Sequence, residues 1–533
     1  MNEKNFQLNI ANIFPPSLWS FRNQEIVYQD LKRFTYLEFY DRVRRISSAL
    51  LKIGVKKGDK VAVLDWDTNH YMESYFSVPM IGAVLHTVNI RYPPEIIFYT
   101  MQHAADKFVI VRDEFLPMIE RSAQLFDFVK GWIIYSDEKG EIRTSLENHY
   151  NYDEMLESSE PIDPPDIDEN TPATIFYTSG TTGLPKGVTF THRKLVLHAQ
   201  ALAVGLSYSP LNINEKDVFM GLVPMFHVHS WGVPYLTIMT GHKYVLPGRY
   251  DVKRILELIK KEHVTFSHMV PSILYMILTH PEVEDYASYL KGWKVVIGGA
   301  ALPRGLAKMA EKFGIITVGA YGMSETCPLL TAATFTEEIN SLSKEERFDY
   351  MISTGRPAVL VNLRVVDSIG KDVPWDSRTI GEIIVRAPWL TDEYYLDPEK
   401  TEELWRDGWL HTGDLAVVDS KGFIHIVDRE KDAIKSGGEF IPSLVLENII
   451  SEIPEVGEVA VVGKKDEKWG ERPIAFITLK NKVSKEYIIE RLMKFVETGR
   501  IQKWWIPDDI IFMDNLPKTS TNKIDKKELK KML

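Results

Sequence analysis

Three features of this sequence predict an α/β protein in two unequal parts. β-Branched runs alternate with amphipathic stretches up to about residue 354, closely spaced short strands follow from about 355, and mixed helix and strand resume after a glycine-rich turn near 438. At 533 residues, the chain exceeds the size at which one hydrophobic core stops growing, so at least two domains are expected.

The runs at 61–64, 108–111, 132–135, 174–177, 295–297 and 315–318 read as strands. Between them, 37–53 and 252–262 place apolar residues near i, i+3, i+4 spacing and read as helices. Strands that alternate with helices pair in parallel, which gives a large N-terminal region of parallel α/β sheets. Residues 159–169, SEPIDPPDIDE, read as an acidic, proline-rich surface loop. From about 355 the runs at 363–366, 382–386, 416–418 and 423–427 lie between turn residues and suggest antiparallel sheet, a β-barrel-like subdomain. The stretch DREKDAIKSGG at 428–438 marks a boundary. Beyond it, a helix at 443–453, strands at 459–462 and 474–478 and a helix at 485–497 make a small α+β domain. The expected division is 1–430, with α/β subdomains to about 354 and a β-rich subdomain over 355–430, and 431–533.

A 44% apolar and 26% charged composition is that of a globular protein. The balance of 63 basic against 74 acidic residues, a net charge of -11, argues against nucleic-acid or anionic-membrane partners. An anionic substrate must then be held by local donors. The single cysteine, Cys327, excludes an internal disulfide framework and a cysteine zinc site, and a reducing, cytoplasmic setting fits. The first 19 residues carry early charges and no uninterrupted apolar core, so no export signal is expected. The apolar stretches 71–90 and 223–241 are interrupted by Glu73 and His86, and by His227, His229 and two prolines, so no membrane span is expected.

The loop YTSGTTGLPKG at 177–187 has the composition of a phosphate cradle. Gly180, Gly183 and Gly187 let backbone N–H groups approach a polyanion, Thr178, Ser179, Thr181 and Thr182 add hydroxyl donors, and Lys186 adds charge. It is not a Walker A loop, in which the lysine follows a glycine and precedes Ser or Thr. Alone, it is also compatible with an ordinary Ser/Thr/Gly turn.

Further along stand GGAAL at 298–302, YGMSET at 321–326, WLHTGD at 409–414, DREKDAIKSGGEF at 428–440 and LPKTSTNK at 516–523. With the loop, these six ordered motifs over roughly 350 residues resemble the AMP-forming acyl-CoA synthetases, and the medium- and long-chain fatty-acid CoA ligases among them. The superfamily also holds peptide-synthetase adenylation domains and firefly luciferase. The resemblance implies a ligase that joins a small carboxylic acid to AMP and then to CoA, using ATP and Mg²⁺, with a small C-terminal domain that moves between the two steps. Relatives of this kind include homodimers.

The same resemblance implies roles. Lys523 bridges the substrate carboxylate and the α-phosphate, Glu325 binds the magnesium with Thr178, and Lys186 and His227 complete the catalytic set. Thr178, Ser179, Gly180, Thr181, Thr182 and Gly183 line the phosphates. Tyr321 stacks on the adenine, whose edge faces Gly298, Gly299 and Ala300, with Gly322 and Thr326 beside it. Asp414 accepts from the ribose hydroxyls, and Arg429 lies beside the ribose and phosphate. Lys431 matches the hinge position, and Lys435, Ser436, Gly437 and Gly438 line the CoA arm. His227, Val228, Trp231 and Gly232 line the acyl pocket. The chain departs from the family at Asn522, where glycine usually precedes the lysine; asparagine tolerates the left-handed backbone better than most residues.

Taken without their neighbours, several of these residues have plainer readings. YGMSET suits a strand end with a cap, TGD a turn, His227 a core histidine, and the lysines around 523 a solvated face. A short, hydroxylated or aromatic acid is an alternative substrate; an adenylation enzyme that loads a carrier protein, a luciferase-like oxidase and a regulatory protein that only binds nucleotide are alternative functions.

Overall fold

The computed structural model describes residues 6–138, 142–178, 184–437, 439–520 and 522–533. The helix expected at 37–53 runs over Tyr36–Lys52, started by a capping box in which Thr35 accepts from the Glu38 N–H and Glu38 reaches back to Thr35. Its stripe of Phe39, Val43, Ile46 and Leu50 is buried in a core that also takes Val61, Val63 and Leu85 from the first of two large sheets.

That sheet has eight strands. Lys60–Leu64 sits at its centre between Val84–Thr87 and Phe108–Arg112, all parallel. Pro172–Thr178 extends it in parallel beside Val84–Thr87 and then turns back as an antiparallel hairpin with Lys186–Thr191, which closes the 177–187 loop. The second sheet has nine strands, built on the parallel set Lys243–Leu246, Val218–Gly221, Phe266–Met269, Lys294–Ile297 and Ile316–Gly322. Near the N-terminus, the hairpin of Glu25–Tyr28 with Lys32–Thr35 adds itself to the edge formed by Lys243–Leu246. One continuous core fills the space between these layers.

After residue 355, a five-stranded antiparallel sheet holds Asn362–Val366, Gly381–Arg386, Trp409–Val418, Trp405–Arg406 and Ile424–Arg429. A last five-stranded sheet, with Val456–Asp466 and Gly470–Leu479 as its long pair, carries the helices Ser443–Ser451 and Lys485–Glu497. It has a core of its own, including Ile434, Leu446, Ile450, Val461, Ile477 and Leu492. Among the described residues, no helix is long and apolar enough to cross a membrane.

Glu73, which interrupts the apolar stretch in the sequence, is fully buried and paired with Arg42 at 2.8 Å. Asn69 and the Tyr152 hydroxyl also donate to it, at 3.0 and 2.8 Å. Removing one partner of a buried pair strands the other charge, so Arg42→Met should cost about 3–5 kcal/mol, read as a lowered urea midpoint. The double change Arg42→Met with Glu73→Leu should recover much of that loss. Strictly additive losses would show that the two side chains do not act as a unit.

Candidate active site

The carboxyl ends of parallel strands are where open α/β sheets collect ligands. Here Thr178, Gly298 and Tyr321 stand at such ends, on Pro172–Thr178, after Lys294–Ile297, and on Ile316–Gly322.

Asp414 and Arg429 face each other in register on adjacent strands. Arg429 Nε lies 3.0 Å from Asp414 Oδ1, and the Tyr321 hydroxyl donates to Oδ2 at 2.6 Å. Burial first, then the Asp414 charge, push the Tyr321 phenol far up, so it remains a donor. The turn is fixed from below: Gly413 N–H donates to Glu382 Oε1 at 3.1 Å, and the Thr412 hydroxyl to the Ile383 carbonyl at 2.8 Å.

Glu325 lies in the short 3₁₀ turn Ser324–Thr326, 7% exposed, and its Oε1 accepts from the Tyr394 hydroxyl at 2.6 Å. Thr326 closes the turn by accepting from the Met323 N–H at 3.0 Å, directly after Gly322 ends the strand. The Lys186 ammonium lies over the Tyr394 ring, 4.3 Å from its centroid, and Lys186 faces Thr178 across the hairpin. Tyr394 thus joins the carboxylate to the lysine. Sequence reading missed it; its only signal there is an aromatic pair, Tyr394 and Tyr395, which pairs with the lysine strand at Val188 and Gly187. The loop residues Ser179, Gly180, Thr181, Thr182 and Gly183 lie outside the described residues, as does Gly438.

Lys523 arrives from the C-terminal unit on a tight turn. Thr519 N–H donates to the Lys523 carbonyl at 2.7 Å, and Asn522 takes φ 61°, the left-handed conformation that glycine would otherwise supply. The turn is docked on the N-terminal region by Ser272 Oγ donating to the Asn522 carbonyl at 2.5 Å and Asn89 Nδ2 to Ser520 Oγ at 3.0 Å. The lysine stem passes so close to Gly299 that a Cβ there would lie 2.8 Å from Lys523 Cε. Ala300 follows on the same exposed shelf. Burial first, then the Arg429 charge, push the Lys523 ammonium down to about 8, against the opposing pull of Asp414 and Glu325. His227 is pushed down to about 3 by burial first, then by Lys523 and Arg91, so its imidazole is neutral. Residues from five separate stretches therefore sense one another in one cleft.

Beyond His227, residues Val228, His229, Ser230 and Trp231 have φ of 47°, 55°, 47° and 54°, and Gly232 follows at 76°. A left-handed turn costs roughly 1–2 kcal/mol per non-glycine residue. It is held by His229 Nε2 against Thr174 Oγ1 at 2.7 Å, and by Ser230 Oγ, which donates to the Val223 carbonyl at 2.7 Å and lies 3.1 Å from His268 Nε2. The turn presses the Trp231 ring onto Gly298, where a Cβ would come within 2.9 Å of it.

Not every expected residue joins the cleft through a contact. Lys431 lies close enough for Arg429, Asp414 and Glu325 to act on its charge, with burial the larger influence that pushes its ammonium down. Lys435 is exposed on the hairpin of Ile434–Ser436 with Glu439–Ile441. Ser436 accepts from Arg472 at 3.2 Å, and Gly437 N–H donates to the Trp469 carbonyl at 2.8 Å, both within the C-terminal unit.

The family model described as AMP-binding enzyme matches residues 20–395, and the one described as AMP-binding enzyme C-terminal domain matches 445–523. A long-chain-fatty-acid–CoA ligase of Thermus thermophilus is 38% identical over 98% of this chain and 95% of its own length. A 3-methylmercaptopropionyl-CoA ligase of Ruegeria lacuscaerulensis is 37% identical over 93% of this chain and 91% of its own. A solved anthranilate CoA ligase in complex with anthranoyl-AMP superposes with a TM-score of 0.86, at 22% identity, over 100% of this chain and 99% of that one.

Proposed function

The chain belongs to the AMP-binding enzyme family, and on that premise we propose that it is an ATP-dependent acid–CoA ligase. The acid and ATP give acyl-AMP and pyrophosphate; acyl-AMP and CoA then give acyl-CoA and AMP. The observation that carries this reading is the convergence of Lys523, Glu325 and the Tyr321–Asp414–Arg429 triad on one cleft.

A carboxylate is a poor acyl donor because its oxygen leaves badly. In the first step its oxygen bonds to the α-phosphorus as the bond to pyrophosphate breaks, so negative charge must be gathered at one point and held. Lys523 supplies a positive charge between the two anions, and Arg429 a second one beside the ribose. Asp414, held by Tyr321 and Arg429, has the geometry to accept from ribose hydroxyls. Lys186 and the 177–187 loop would cradle the leaving phosphates. A buried carboxylate with one oxygen anchored suits Mg²⁺, which binds through one or two carboxylates and substrate phosphates; Glu325 and the Thr178 hydroxyl would hold it, and it would neutralise phosphate charge. Neutral His227 and the Val228–Gly232 turn would border the acyl group. Lys435 to Gly438 would line the CoA arm, with Lys431 as the hinge between 1–430 and 431–533.

We propose a medium- or long-chain fatty acid, which the named relative from Thermus thermophilus supports. Trp231 packed on Gly298 favours a second reading, a shorter acid that ends at this ring. The single cysteine, Cys327, is buried and suits a cytoplasmic setting. The proposed assembly is a homodimer, which light scattering would check.

Incubation with ATP, Mg²⁺, CoA and acids of graded length should yield AMP and acyl-CoA, with the kcat/KM maximum identifying the acid. Release of ADP would sink the reading. Acyl-AMP formed without CoA consumption would favour a carrier-loading enzyme.

A further inference from the structure

Lys523 belongs to a unit with its own core, so where that unit sits on the larger one decides whether the lysine reaches the cleft. Besides the Ser272 and Asn89 contacts to the lysine turn, the two units meet along a seam of two helices, Arg304–Lys312 and Ser443–Ser451. The first begins just after the Gly298–Leu302 shelf.

At this seam the helices meet end to end. The Arg304–Lys312 helix starts at Pro303, which provides no side-chain cap, so its first N–H groups have no partner of their own. Asn448 supplies one from the other unit: its Oδ1 accepts from Arg304 N–H at 2.8 Å. The free carbonyl end of the Ser443–Ser451 helix comes to the same place, positive helix end against negative. Arg304 Nε lies 4.0 Å from Glu452, the residue that ends that helix. Further along, Lys480 Nζ lies 3.5 Å from Met309 Sδ.

Residue 305 decides how closely the ends approach. A Cβ there would meet the Ser451 carbonyl oxygen, a backbone atom, nearer than real Cβ contacts come. Alanine is a better helix former than glycine, so the requirement for glycine at 305 comes from the seam and not from its own helix.

We propose that Gly305 and Asn448 are positioning residues for adenylation, setting the seat of the C-terminal unit on which Lys523 reaches the carboxylate and α-phosphate. The inference rests on the ligase reading above. It assigns the seam to the first step only, because attack of the CoA thiol on a preformed acyl-AMP forms no bond at which Lys523 gathers charge.

The test separates the half-reactions by rapid quench. In Gly305→Ala, acyl-AMP formation should fall about 10- to 100-fold, the scale expected when a reacting group is misplaced by about 1 Å. Transfer from supplied acyl-AMP to CoA should stay within about twofold. Asn448→Leu should show the same split more weakly, and Asn448→Asp, which keeps the acceptor, should restore acyl-AMP formation. Trypsin should cut Gly305→Ala faster between 430 and 437 while its Tm stays at the wild-type value. Equal loss in both half-reactions, or no loss in either, overturns the assignment; so does a Tm that falls together with activity when Asn448→Leu shows no split. A wild-type protein that forms no acyl-AMP from any acid overturns the ligase reading itself, before the variants are compared.

Discussion

Lys523→Ala should slow acyl-AMP formation by about 10²- to 10³-fold, the loss typical of removing one preorganised charge-stabilising group. Acyl transfer from supplied acyl-AMP to CoA should change little. The wild-type pH profile carries a second signature. Because the Lys523 ammonium is pushed down to about 8, and the protonated form is the one that bridges two anions, kcat/KM for the acid should fall as pH rises through about 8. That limb should move upward in Lys523→Arg, whose guanidinium stays charged, at a reduced maximal rate. A profile that keeps its limb near pH 8 in the arginine variant would assign it to another group.

Where local physics sets local structure, the sequence was informative. The helix read at 252–262 is Val252–Glu262, with Asp251 accepting from Arg254 N–H at its start, and the helix read at 485–497 is Lys485–Glu497, capped by Ser484. The left-handed tolerance expected of Asn522 is used, at φ 61°. Strands with no polar face were harder to see. Val84–Thr87 is buried on both sides inside an apolar stretch, where strand and helix leave the same pattern. The hairpin of Glu25–Tyr28 with Lys32–Thr35 escaped because its pairing strand, Lys243–Leu246, lies about 220 residues away. The left-handed turn at Val228–Trp231 runs against the preference of each of its residues and exists through bonds to Thr174, Val223 and His268. Motifs named the chemistry of the cleft, but Tyr394 and the Gly305 seam are contacts between distant segments. Apart from the Tyr394–Tyr395 aromatic pair, the sequence carries no local mark of them.

Asp414→Asn should lower kcat/KM for ATP by about 10²-fold. Charge-assisted hydrogen bonds contribute about 1.5–3 kcal/mol each, and asparagine keeps one carbonyl acceptor, so about one of the two to the ribose is lost. The same change tests the electrostatics of the cleft. In the native site the Asp414 charge opposes Arg429 and keeps the Lys523 ammonium from being pushed lower. With a neutral asparagine, Arg429 acts unopposed by its nearest carboxylate, so the basic limb should move below pH 8. Tyr321→Phe removes only the hydroxyl that donates to Oδ2. The carboxylate keeps its charge, so this variant should weaken ATP binding several-fold and leave the limb in place. A limb that moves alike in both variants would mean that hydrogen bonding, not charge, sets the protonation of Lys523.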